Sequence, residues 1–211
     1  MKISNSELDE LFNDKLIVSK IKQKLPKMFQ IAEIESSRAG KIGMEVGSLR
    51  EKIIIALLIH KYGRKRINSN ISITESETDL LLDNKPISIK TITGNGGLKA
   101  VWTVDAQSSE NFIKKYMPKC DIILIQIFWN STKGGFYLIP LEVQNNIFIS
   151  LGRDKYLKMP KAGTNPRGIE YSKEAVRMFL THPYTKKIEI NWIKEKTEYD
   201  VYKRWEEYWS Q

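Results

Sequence analysis

Asp79 and Lys90 are the first residues in this chain whose types and spacing suit chemistry on a phosphate ester. Asp79 opens the apolar run 79–82, and Lys90 lies in the alternating run 87–92. Between them, Asp83-Asn84-Lys85-Pro86 reads as a turn, because Asx side chains bond locally and proline fixes its own φ. The two runs then pair as a hairpin. A carboxylate and an ammonium on paired strands can hold a divalent cation and a water against a phosphate, although a surface salt bridge uses the same two residues. Ser88 stands two residues before Lys90, where a hydroxyl can hold a water but adds no charge.

Glu51 is a further candidate. Residues 48–62 read as a helix, with Ile53, Ile54, Ala56, Leu57, Leu58 and Tyr62 apolar and Gly63 at its end. Ser48 as N-cap and Glu51 three residues on spell a capping box. Glu51 therefore either returns a hydrogen bond to the Ser48 amide or points from the helix start toward the hairpin. The acidic run Glu75-Ser76-Glu77-Thr78-Asp79 precedes the strand, and like charges this close are tolerated when a cation joins them.

The rest of the chain must position these groups. Residues 4–34 read as helical, with a cap at Ser4 or Ser6, apolar positions Leu8, Leu11, Phe12, Leu16, Ile17 and Ile21, and an interruption at Pro26. The stretch 36–48 reads as a glycine-punctuated loop with Met44 in its middle, a side chain that either tucks into the core or wedges between DNA base pairs. Arg64-Lys65-Arg66 is a basic cluster placed for backbone phosphates. Further on, 101–104 reads as a short strand, 107–117 as a helix stopped by Pro118, and Ile122–Phe128 as a central strand covered on both faces. Gly134-Gly135 turns into the strand 136–140, and Asn145-Asn146 into another, 147–151. Ser172 caps a helix to about His182, and 188–192 alternate as a last strand. A closing helix, 197–209, carries Tyr199, Tyr202, Trp205, Tyr208 and Trp209 for core or interface packing. The whole predicts an α/β protein with a central mixed β-sheet flanked by helices.

Composition narrows the class. The 211 residues carry 34 basic and 25 acidic side chains, a net charge of +9, which favours a polyanionic partner, nucleic acid first. A single cysteine, Cys120, excludes a disulfide framework and a multi-thiolate zinc site, and two distant histidines, His60 and His182, argue against a His-based nuclease centre. No segment reaches the roughly 20 apolar residues that span a bilayer, and the first residues lack an apolar signal region, so a soluble, cytoplasmic protein without a membrane partner is expected.

The helix bearing Glu51, the strand opening with Asp79, the tight turn and the strand with Ser88-Ile89-Lys90 together resemble the PD-(D/E)xK nuclease core, and within it the type II restriction endonucleases, over residues 45–130. The resemblance implies a restriction-endonuclease-like fold, one domain over 1–211 with a helical part at 1–35, and a role in a restriction–modification system. It implies Mg²⁺ as cofactor, held by Asp79, Glu51 and the Ile89 carbonyl, with Lys90 orienting the attacking water. The sequence departs from the family at Ser88, where an Asp or Glu is usual, and Glu51 is the natural substitute.

Residues 152–172 form a basic loop, and Thr164-Asn165-Pro166-Arg167-Gly168-Ile169 is similar to recognition loops of such enzymes, so 152–182 is expected to be the DNA-recognition loop and helix. Arg167 can bond guanine O6 and N7 together, and Asn165, Lys161 and Lys158 can read neighbouring edges. Double-stranded DNA is the expected partner, and a palindromic target implies a homodimer. Two other readings use the same residues: a Holliday-junction or repair nuclease of this fold, which tends to lack a base-reading loop, and a non-catalytic DNA-binding protein.

Overall fold

A computed structural model describes residues 7–72, 77–101, 106–158 and 168–210, with the backbone alone for 106–110. The expected caps at Ser4 and Ser6, and residues 102–104 of the strand expected at 101–104, lie outside the described residues. The chain begins with α1 (Glu7–Asn13) and α2 (Lys15–Ser36). The break between them is at Asp14, whose carboxylate accepts from the Leu16 and Ile17 amides at 3.0 and 3.1 Å, and not at Pro26. Pro26 lies inside α2, buried beside Leu25. It forgoes one backbone hydrogen bond, while the buried stripe Ile21, Leu25, Phe29 and Ala32 carries the helix past it.

A small hairpin, β1 (Ser37–Arg38) and β2 (Lys41–Ile42), replaces the expected loop and turns at Ala39 and Gly40, both at positive φ. Next comes α3 (Val46–Tyr62), which buries Arg50, Ile54, Leu58 and Tyr62 at every fourth residue and stops at Gly63 with φ of 87°. The helix starts two residues ahead of Ser48, and Glu45 occupies the cap with no side-chain hydrogen bond. The expected capping box is therefore absent: Ser48 is already inside the helix, with helical geometry instead of a cap's.

A 3-10 turn, Arg64–Arg66, leads to β3 (Ile67–Asn68), β4 (Leu80–Leu82), β5 (Lys85–Thr93) and β6 (Lys99–Val101). Then follow α4 (Ala106–Lys115), β7 (Asp121–Ile127), β8 (Gly134–Ile139), α5 (Leu141–Leu151), α6 (Arg153–Tyr156) and β9 (Leu157–Lys158). The chain closes with β10 (Ile169–Tyr171), α7 (Lys173–Thr181), β11 (Lys186–Ile188) and α8 (Lys203–Trp209). The segment 147–151, expected as a strand, is the second half of α5. Val143, Gln144 and Ile147 are its buried positions, so the helical spacing begins ahead of Asn145-Asn146. Ser172 caps α7 as expected, accepting from the Ala175 amide at 3.0 Å. The last strand ends at Ile188, and α8 buries none of its residues, so its aromatics do not join the core.

Among the described residues six strands form one sheet in the order β11-β8-β7-β5-β4-β3, with β5 and β7 parallel and the other neighbours antiparallel. The mixed sheet flanked by helices follows the sequence expectation. Alternation along β7 divides two cores: Ile123 and Ile125 face α1–α3, while Ile122 and Leu124 face the other side. On that second side a small sheet, β6-β10-β9, packs with α4, α5 and α7 around Tyr116, Tyr156, Tyr171 and Phe179. Ile123, Leu124 and Ile125 are fully buried, each stabilising the sheet by about 1.5–3 kcal/mol. Among the described residues no helix is long and apolar enough to cross a membrane.

Candidate active site

The β4–β5 turn sets the geometry. It is two residues long, Asp83 and Asn84, at φ of 48° and 65°. Positive φ at both places gives the twist that closes antiparallel strands tightly, and Asx residues tolerate it. Lys85 and Pro86, expected in the turn, belong to β5. Pro86 lies ahead of the first β5–β7 pair, Ile87 with Asp121, so its missing N–H removes no donor from that ladder.

The register brings Asp79, just before β4, beside Ser88, Ile89 and Lys90. The Asp79 amide donates to the Ile87 carbonyl at 2.9 Å. Its Oδ2 accepts from the Ser88 hydroxyl at 3.1 Å and the Ile89 amide at 2.5 Å, and Lys90 Nζ stands 3.8 Å away. All three converge on Oδ2, which leaves Oδ1 without a protein donor among the described residues. Ser88 is buried and bonded to the carboxylate, so its hydroxyl orients Asp79. In an extended strand the N–H and C=O of one residue point to the same side, so the Ile89 carbonyl is directed toward Asp79, past the end of β4.

Glu51 comes from the first turns of α3. Burial raises its pKa, the Asp79 charge raises it further, and Lys90 and Lys52 oppose the rise. Glu51 thus shares an electrostatic site with Asp79 and Lys90, and with the capping box gone its carboxyl has no cap to serve. The helix start is fixed by the residue before it. Arg50, buried, bonds Glu33 of α2 at 2.6 Å and the Thr93 hydroxyl at the end of β5 at 3.2 Å. Glu33 also accepts from the Trp129 indole at 2.7 Å and pairs with Lys194 at 2.8 Å. Burial lowers the Arg50 pKa while Glu33 raises it. Sequence reasoning missed this network, because its partners lie 17 and 43 residues away along the chain.

Glu77 is the second residue missed, although the acidic run pointed to its neighbourhood; Glu75 of that run lies outside the described residues. Glu77 is buried, and burial pushes its carboxyl up to about 7 against a hydrogen bond from Tyr116 and the charges of Lys90 and Lys119. Among the described residues no three acidic, histidine or cysteine side chains gather as a ready metal cage. Two carboxylates and a strand carbonyl nevertheless suit a hard cation that keeps several of its waters, as Mg²⁺ does.

The other expected contacts disperse. Met44 is 72% exposed between β2 and α3, at the end of the helix that carries Glu51, and so does not tuck into the core. Lys158 ends β9, paired to Glu170 of β10 at 2.9 Å. Lys161, Asn165 and Arg167 lie outside the described residues, in the connection between the paired strands β9 and β10. Arg64 is at the opposite end of α3 from Glu51, about 20 Å along the helix, and is not brought to the site.

A half-buried carboxylate aimed by two donors, a lysine beside it and a second carboxylate on a pinned helix are the parts that phosphodiester hydrolysis requires. The family model described as restriction endonuclease ThaI matches residues 11–211. No curated protein matches the chain. A solved structure described as a restriction endonuclease in complex with substrate DNA is 51% identical, covers 97% of this chain and 99% of its own, and superposes with a TM-score of 0.90. Restriction endonucleases generally need a divalent metal. The chain belongs to the ThaI restriction endonuclease family and is a type II restriction enzyme, a site-specific deoxyribonuclease.

Proposed function

We propose that this chain works in the cytoplasm, as the nuclease of a restriction–modification system, on double-stranded DNA. It is a Mg²⁺-dependent PD-(D/E)xK enzyme of one domain, active as a homodimer on a short palindromic site. The observation that carries this reading is the convergence of Ser88, Ile89 and Lys90 on one oxygen of Asp79, with Glu51 in the same field. The solved relative bound to substrate DNA supports the polymer.

Asp79, Glu51 and the Ile89 carbonyl would hold the Mg²⁺. Bound there, such an ion would supply positive charge to phosphate oxygens and make a nearby water more acidic. Lys90 would orient that water through its ammonium hydrogens and contact the scissile phosphate, the water's proton passing to solvent. Ser88 keeps the Asp79 carboxylate from rotating. Arg167 reads guanine, Asn165, Lys161 and Lys158 read neighbouring edges, and Glu170 restrains Lys158 until DNA competes for it. Met44, exposed and uncharged, is the wedge that enters the base stack. Arg64 contacts a flanking phosphate.

Incubation of the purified protein with phage DNA and Mg²⁺ tests the reading. Discrete fragments that vanish with chelator are expected. A smear would make it a nonspecific nuclease, and intact DNA a binding module.

A further inference from the structure

Among the described residues, α8 is the one α-helix that buries nothing. Tyr202, Trp205, Tyr208 and Trp209 are 68, 52, 69 and 92% exposed. At 100° per residue they fall within one stripe about 120° wide. A seven-residue helix does not hold itself together in water, because helices shorter than about 12–15 residues depend on packing. Its root is nevertheless fixed. Tyr199 donates to Glu35, Arg204 pairs with Glu35 at 3.6 Å, and Gln30 and Glu195 exchange two hydrogen bonds.

The root lies at the rim of an apolar groove of about 550 Å³ between α2 and α3. Met28, Ile31, Leu49, Ile53, Ala56 and Leu57 line it, on the side of α3 turned away from the sheet. Lys20, Lys24, Lys52 and His60 edge it, with Glu35, already engaged by Tyr199 and Arg204, as its one acidic residue. Glu206, beside the aromatic stripe, has no ion pair among the described residues and complements that basic edge.

We infer that the α2–α3 groove receives α8 of a second copy of this chain, reciprocally, so that the two helices are exchanged across a two-fold axis. The inference rests on the homodimer reading above and assigns its surface. Three observations select a second copy. The rings point into solvent although their helix starts at the groove's own rim. The groove is apolar with an edge of opposite charge to Glu206. Four such rings on each of two helices bury area on the order of the roughly 1,600 Å² of a standard stable interface. An isologous contact along α3 also carries two Glu51 residues, and hence both strands' chemistry, in one assembly.

The test is a Trp205→Ala/Trp209→Ala variant and, separately, Ala56→Arg, each measured by sedimentation beside the unaltered protein, with melting followed to confirm folding. Both variants are expected to sediment as monomers and the parent as a dimer. Independently, oxidation of an Ala56→Cys/Tyr208→Cys variant is expected to give a covalent dimer, since Cys120 is buried and stays out of the reaction. A disulfide closed within one chain would place α8 in its own groove and overturn the inference. Variants that remain dimeric would move the interface elsewhere and leave the homodimer reading intact. A parent that is monomeric with and without DNA would remove both.

Discussion

The Arg50 guanidinium and the Glu33 carboxylate lie 2.6 Å apart with 5 and 4% of their side chains exposed, and they tie the start of α3 to α2. Glu33 is the one carboxylate that Arg50 meets at that depth among the described residues. Glu33→Ala is expected to cost about 3–5 kcal/mol, because it strands the Arg50 guanidinium, and Arg50→Ala less, because Glu33 keeps Lys194 and the Trp129 indole. The double variant should cost less than the two losses added. Urea unfolding of all four proteins checks this, and additive losses would show that the pair does not couple.

The chemistry of the hairpin separates by residue. Asp79→Ala and Lys90→Ala are expected to lower the cleavage rate by about 10³-fold or more, while specific DNA binding in Ca²⁺ stays within a few-fold. Ser88→Ala removes one hydrogen bond, about 1 kcal/mol, so a loss of about fivefold is expected. Single-turnover rates and filter binding measure both quantities, and full cleavage by either Asp79→Ala or Lys90→Ala would sink the assignment.

Glu51 carries a trade-off. Its carboxylate is half-buried and raised in pKa by burial and by Asp79, so the fold resists its charge. Glu51→Gln is expected to be neutral or slightly stabilising in metal-free buffer near neutral pH, yet to slow Mg²⁺-dependent cleavage by about 10²-fold or more. Melting temperature and rate must move in this opposed way. Unchanged cleavage would leave Glu51 with no part in the reaction.

Glu77 makes stability depend on pH. Its carboxyl ionises near 4.5 when free and near 7 in the fold, so the folded state holds the proton more tightly. The stabilisation is complete below about 4.5 and fades as pH rises through 7, by up to about 3 kcal/mol. In chelator, Glu77→Gln is expected to flatten the melting profile across that window. A parent profile already flat from pH 4.5 to 7.5 would refute it.

Met44 is exposed, so Met44→Ala is expected to leave melting unchanged while weakening DNA binding about tenfold or more. Fluorescence anisotropy with a cognate duplex gives the answer. Unaltered affinity and cleavage would remove the wedge.

What the sequence disclosed was local. The Asp79–Lys90 hairpin, the strand at 122–128 and the stop at Gly63 each follow from residues within one turn or one strand of each other. What it withheld was long-range or competed for. Asn145-Asn146 is a turn signal, but Val143 and Ile147 bury one face of a helix that overrides it. Ser48 and Glu51 have capping-box spacing, but α3 begins earlier, at Val46. The burial of Arg50 and Glu77 depends on Glu33, Thr93 and Tyr116, which no local pattern links to them.

The two-residue turn at Asp83-Asn84 acts as a length standard for the reaction. Strand pairing repeats every second residue, so one added residue there would turn Ser88 and Lys90 through the sheet and present Ile87 and Ile89 to Asp79 instead. Every side chain of the mechanism would survive such an insertion and none would meet its neighbour. At this place the enzyme's inheritance is written in a count of residues more than in their identities.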